Sequence, residues 1–162
     1  MSLEQYAYLA GVIDCDGYIT IQRTKKVKKL PSGNNCVGFY HVVKVGITGT
    51  DRGIHDFASK IFGSSVSDHQ PKNELHKKHY MWQLTSSRAV DFIKKIRPYL
   101  VIKRQQADLA VRYFNDPRVK TTPPVKITVE ILELRDVYWK EIVSLNSSRK
   151  NIRSRNNMAA MK

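Results

Sequence analysis

The spacing of apolar positions changes several times along the chain, and each change marks an element. Over residues 4–14, Tyr6, Leu9, Val12 and Ile13 recur at helical spacing and predict a helix with one buried face. Ala7, Gly11 and Cys15 form a second row of small side chains, four residues apart. Such a row lets another backbone approach closely, either a second copy of the helix across a twofold axis or the chain's own sheet. Gly17 ends the helix, and over residues 18–24 the period drops to two. Ile19 and Ile21 take one face of this strand; Tyr18, Thr20, Gln22 and Thr24 take the other, which is polar and uncharged.

The segment RTKKVKKLPSGNN then places five basic residues in seven, Arg23, Lys25, Lys26, Lys28 and Lys29, before a turn sequence, and reads as a long hairpin tip with a cationic rim. The return strand, over residues 37–48, alternates Val43, Val45 and Ile47 with Val42, Lys44, Gly46 and Thr48. TDRGIHDFASKIFG predicts an amphipathic helix capped by Thr50 or Asp51 and ended by Gly63. Two strands follow, near residues 65–70 and 78–85, joined by the loop PKNELHKK. A helix starts at Ser86 or Ser87 and stops before Pro98; LVIKRQQADLAVRYFN starts another; PPVKITVEILELRDVYWKEIVSLN makes a last long one, with Tyr138 and Trp139 in the core. An α+β fold meets this order: one four-stranded antiparallel sheet, helices on one face, the polar face open. On the fourth strand either Tyr80, Trp82 and Leu84 are the inward set or the face is shifted by one; with the first, Lys44, Ser67, His69, His79, Met81 and Gln83 stand on the open side as candidate ligand contacts.

A chain of 162 residues is read as one domain, over residues 1–146, with a basic tail over 147–162. Lys and Arg number 28 against 14 Asp and Glu, a formal charge of +14, which favours a polyanionic partner and nucleic acid first. The plainer alternative is a basic protein that its charge merely keeps soluble. The tail SSRKNIRSRNNMAAMK contains Arg149, Lys150, Arg153 and no acid, a composition expected to be disordered when free and held by a polyanion. Two cysteines, Cys15 and Cys36, without zinc spacing, suggest a reducing compartment. With no signal-like start and no apolar run of membrane length, the expectation is a soluble intracellular protein without a membrane partner. The five histidines form no catalytic pattern.

Two acids, Asp14 and Asp16, stand where this basic chain turns from helix to strand. Asp-x-Asp-Gly suits a solvated helix end and turn. Yet Leu9 to Gly17, LAGVIDCDG, matches seven of the nine positions of the LAGLIDADG signature, departing at Val12 and Cys15, and so resembles the homing endonucleases of that name. ITGTD at residues 47–51 is similar to that family's strand-to-helix junction. RPYLVIKRQQA is similar to its segment bearing an active-site lysine, and the element order matches its αββαββα core through roughly residue 115.

The resemblance implies a site-specific DNA endonuclease, encoded within an intron, that cuts both strands across the minor groove and leaves short 3′ overhangs. Mg²⁺ is the implied cofactor, with Mn²⁺ or Ca²⁺ substituting in binding and no small-molecule cofactor. Such hydrolysis uses a divalent cation between phosphate oxygens and carboxylates, and Mg²⁺ needs only one or two protein acids. Asp16 is implied as catalytic residue and metal ligand, aided by the main-chain carbonyl of Cys15. Lys103 is implied to stabilise phosphate charge or position water, Gln106 is a weaker candidate, and Asp14 is assigned a structural role. Where many relatives carry Gln or Asn after the second strand, this chain has Gly49; either Thr48 or Thr50 serves, or Arg52 does, or the correspondence is shifted by one residue. One motif copy implies a homodimer through Ala7, Gly11 and Cys15 on a pseudo-palindromic double-stranded DNA. The candidate DNA contacts are Tyr18, Thr20, Gln22, Thr24, Lys25, Lys26, Lys28, Lys29, Lys44, Arg52, Ser67, His69, Lys72, His79, Met81, Gln83, Arg104, Arg149, Lys150 and Arg153. A non-catalytic binder of the same fold, an RNA maturase or a DNA-binding regulator, is the alternative; retention of Asp16 and Lys103 favours the nuclease.

Overall fold

The computed structural model describes residues 2–29, 33, 35–70, 77–121 and 127–159, without the side chains of residues 28, 29, 35–37 and 148–159. Lys72, the side chains of Lys28, Lys29, Arg149, Lys150 and Arg153, and most of the expected PSGNN turn and PKNELHKK loop thus lie outside the described residues. Among the described residues nine α-helices and β-strands follow in order, besides two short 3-10 turns: α1 (Leu3–Asp16), β1 (Gly17–Lys29), β2 (Asn35–Gly49), α2 (Arg52–Phe62), β3 (Val66–His69), β4 (His79–Thr85), α3 (Ser86–Ile96), α4 (Arg104–Asn115) and α5 (Val129–Ala159). The strands form one antiparallel sheet in the order β1-β2-β4-β3.

The alternation read from the sequence sorts the sheet's faces. Ile19, Ile21, Val43, Val45, Ile47, Trp82 and Leu84 are all buried and meet Leu9, Ile13, Phe92, Ile93 and Ala107 from the helices. Burial of this apolar face is the main driving force for the layer arrangement. The Trp82 indole closes one end by donating to the carbonyl of Gly63, 3.0 Å away.

Two glycines set the spacing between α1 and the sheet. A Cβ on Gly17 would lie 2.7 Å from the Ile13 Cα and 2.9 Å from the Gly46 carbonyl oxygen, so the helix runs directly into β1 without a loop. A Cβ on Gly46 would lie 2.6 Å from the Tyr18 hydroxyl, because the Tyr18 side chain crosses that position on the open face.

Three elements depart from the sequence reading. β1 continues to Lys29, so the basic run expected at a hairpin tip is strand, paired residue for residue with β2. The helix expected from Leu100 begins only at Arg104, because the amides of residues 101–103 are drawn into another contact described below. The tail expected to lack regular structure continues α5 across residue 146 to Ala159. α5 is held on the hairpin by Asp136, whose carboxylate accepts from Arg23 Nε (2.9 Å) and lies 2.6 Å from His41 Nε2. Arg23 itself stacks 3.7 Å from the Phe39 ring centroid.

Candidate DNA-binding face and carboxylate site

The open face of the sheet gathers the neutral polar residues into cross-strand rows. Tyr18, Gly46 and Gln83 form the first row, and the Tyr18 hydroxyl donates to Gln83 Oε1 at 3.2 Å. Burial raises the Tyr18 phenol above its ordinary pKa, which keeps it a donor at neutral pH. Thr20, Lys44 and Thr85 form the second row; Gln22 faces Val42 and Thr24 faces Tyr40. Towards the other edge Thr48, Met81 and Ser67 are in register, and the His79 and His69 rings stack with centroids 5.4 Å apart. The pleat therefore brings Tyr18, Thr20, Gln22, Thr24, Lys26, Lys44, Ser67, His69, His79, Met81 and Gln83 to one face. Val42 and Thr48 take the same face, as the alternation read from the sequence had it, and Tyr40, opposite Thr24, is added to it.

Lys25 does not join that face. It shares strand parity with Arg23 and Ile21, so the pleat directs it to the helix side. Arg52 is exposed at the start of α2, its guanidinium 3.2 Å from Asp56 and 5.7 Å from the Tyr80 ring centroid. Arg104 is exposed at the start of α4.

At the end of α1 the two acids part. Asp14 is buried, and its carboxylate accepts from the amides of Val101 (2.7 Å), Ile102 (3.0 Å) and Lys103 (2.7 Å). This cradle fixes the segment before α4 and explains the late start of that helix. Lys103 closes the arrangement from the other side: its Nζ donates to the carbonyls of Ile13 (2.5 Å) and Asp14 (2.7 Å). A buried cation is thereby placed on the carbonyl end of α1, where the helix dipole favours positive charge. Lys103, implied by the resemblance to stabilise phosphate charge or position water, thus lies with its ammonium against the last turn of α1, beside the motif.

Asp16, two residues on, is exposed, and among the described residues its carboxylate has no hydrogen-bond or ion-pair partner. Among the described residues no cluster of three or more His, Cys, Asp or Glu could hold a metal ion. One hard oxygen donor per chain fits a cation that keeps its waters and takes phosphate oxygens; it does not fit a resident structural metal. Gln106, the weaker candidate, lies away from Asp16's exposed side, against α5. It is 1% exposed, and its amide donates, at 3.4 Å, to the Leu145 carbonyl and the Asn146 side chain on α5.

The small-residue row faces outward: Ala7, Gly11 and Cys15 are exposed, and nothing lies within 4 Å of a Cβ built on Gly11. The row is therefore not used by the chain's own sheet. Leu3 and Tyr8 flank it, 68% and 51% exposed, and the Cys15 thiol is free. No helix among the described residues is long and apolar enough to cross a membrane.

No protein-family model and no curated protein matches the chain. Solved structures do. The homing endonuclease I-CvuI, crystallised with the I-CreI target and Mg with the DNA not cleaved, aligns at a TM-score of 0.65 and 19% identity over 88% of this chain and 82% of that one. The archaeal intron-encoded homing endonuclease I-Vdi141I, complexed with DNA, gives 0.61 and 12% over 88% and 84%. The homing endonuclease I-TnaI gives 0.59 and 14% over 94% and 98%. At these identities the likeness is one of fold.

Proposed function

We propose, from the premise that the chain has the LAGLIDADG homing endonuclease fold, that it is a site-specific, divalent-metal-dependent DNA endonuclease. It acts as a homodimer on a long pseudo-palindromic duplex and leaves short 3′ overhangs. One observation carries the reading: the exposed row Ala7, Gly11, Cys15 leads straight to the exposed, unpartnered carboxylate of Asp16. Packing two such rows about a twofold axis brings two Asp16 side chains together, one for each strand.

Each part of the chain then has a task. Asp16, with the Cys15 carbonyl, would hold Mg²⁺, which when bound polarises the scissile phosphate and lowers the pKa of bound water. Asp14 and Lys103 hold the end of α1 so that Asp16 stays at a fixed place. Lys103 adds positive charge beside the developing phosphate charge. The open sheet face lies in the major groove, where Tyr18, Gln22, Thr24 and Gln83 offer neutral donors and acceptors to base edges. Lys26, Lys44 and the basic end of α5 with Arg149, Lys150 and Arg153 attract phosphates without selecting sequence.

The test is incubation of the full chain with DNA carrying its insertion sequence, in Mg²⁺ and in EDTA. Cutting of both strands in Mg²⁺ alone is expected. Tight binding without cutting in Mg²⁺ would overturn the enzyme reading and leave a DNA-binding protein of the same fold.

A further inference from the structure

Arg135, on α5, is a buried guanidinium that the nuclease reading does not use. It is 8% exposed, yet among the described residues it forms no ion pair. The neighbouring acids are engaged elsewhere, Asp136 with Arg23 and His41, and Asp116 with Arg118. Its Nε and Nη2 donate to the Val119 carbonyl at 2.9 and 2.5 Å, and Nη2 also meets Thr121 Oγ1 at 3.2 Å. Among the described residues the Nη1 amino group has no hydrogen-bond partner. A guanidinium held largely out of water without a counter-ion gains more from a nearby anion than an exposed one does.

Arg135 lines a cavity of about 320 Å³ beyond the end of β4, against the stretch of β2 that β4 does not cover. Lys120, Thr121 and Ser86 supply further donors on its wall, and Phe114 and Val42 an apolar side. His41 also lines it; its side chain is fully buried and its Nδ1 has no partner among the described residues. The cavity exceeds what one phosphate group fills, since a water's share of the liquid is about 30 Å³. Its size and mixed lining suit a small ligand with one anionic end.

We infer that this cavity is an oxyanion site for the phosphate of a nucleotide-sized group, with Arg135 as the charged donor and the Phe114 side beside the sugar or base. The phosphate has two possible sources, a free mononucleotide or a nucleotide of bound nucleic acid. The site is independent of Asp16 and stands or falls apart from cleavage.

Calorimetric titration of the full chain with adenosine 5′-monophosphate, adenosine and inorganic phosphate tests it. The monophosphate is expected to bind, and adenosine to bind about tenfold more weakly or worse, since a charge-assisted hydrogen bond is lost. Arg135→Gln, checked for native circular dichroism, is expected to lose about tenfold or more in monophosphate affinity. Should that variant not fold, Lys120→Met and Thr121→Val at the rim take its place, each expected to weaken binding by roughly threefold. No binding of monophosphate or phosphate at millimolar concentration, or equal binding of adenosine and its monophosphate, overturns the inference, as does unchanged binding in the variants. Competition separates the sources: monophosphate that displaces duplex DNA assigns the site to a nucleotide of the duplex, and simultaneous binding assigns it to a free nucleotide.

Discussion

Asp14 and Asp16 are two residues apart on the last turn of α1, and their surroundings are opposite. Asp14 is enclosed and accepts three main-chain amides at 2.7–3.0 Å; Asp16 is exposed with no partner among the described residues. A helix that ends on a sheet turns successive residues about 100° apart, so neighbours two positions on face different regions. One carboxylate is thereby committed to folding and the other left exposed, where the proposed function places a metal ion. The lesson is that an acidic pair in a sequence need not be a pair in space, and that each member fails in its own way when removed.

The widest separation between them comes from Asp16→Asn. Removing the charge from an exposed group without partners leaves stability within about 0.5 kcal/mol. Cleavage is expected to fall on the order of a thousandfold, as several kcal/mol of metal-assisted stabilisation are lost. Urea denaturation, a DNA-binding titration and a cleavage assay on one preparation check all three. Lost binding with residual cutting would contradict the metal role. Asp14→Ala should show the reverse order of effects. It strands three amides around residues 101–103 and is expected to destabilise the fold by about 3 kcal/mol, read as a lower urea midpoint at unchanged slope. A variant as stable as the parent would show that the cradle is dispensable.

Much of this was legible beforehand, for physical reasons. Period-two alternation identifies the sheet's two faces because the pleat leaves no other arrangement, and the row Ala7, Gly11, Cys15 was visible as an approach surface, though not which of two partners it served. The cradle was not legible. Asp14 reaches amides 87 to 89 residues away, and no local pattern marks an acid that accepts from a distant loop; for the same reason the start of α4 was placed too early. The direction of Gln106 was not legible either, because sequence nearness to Lys103 says nothing of direction: a helix start separates them, and the Gln106 amide donates to α5. Lys25 was grouped with Lys26 by charge, whereas strand parity divides them.

The comparison predicts that Asp16 depends on a second copy of α1 and Asp14 does not. Gly11→Val tests this, because a Cβ there meets nothing within 4 Å among the described residues of the single chain. The fold is expected to change by only a few tenths of a kcal/mol, valine being at least as good a helix former as glycine. The dimer proposed above is expected to weaken by about tenfold or more, since branched side chains hold the two rows apart. Light scattering across a dilution series reads the dissociation. An unaltered dimer would remove the row from the interface.

The smallest effect belongs to Tyr18, the first open-face residue after Asp16. Its hydroxyl donates to Gln83 Oε1, and its ring covers Gly46. Tyr18→Phe keeps the ring and deletes only the hydroxyl, so the loss of stability is expected to stay below about 1 kcal/mol. Gln83 is then released to rotate. A fixed amide presents one order of donor and acceptor to a base edge and a free one presents either, so the variant is expected to relax base preference at the position Gln83 faces while leaving the cleavage rate on the preferred site nearly unchanged. Profiling cleavage across single-base variants of the target reads both quantities at once. A rate loss approaching that of Asp16→Asn would place the phenol in the chemistry and erase the division between a reading face that begins at Tyr18 and a cutting site that ends at Asp16.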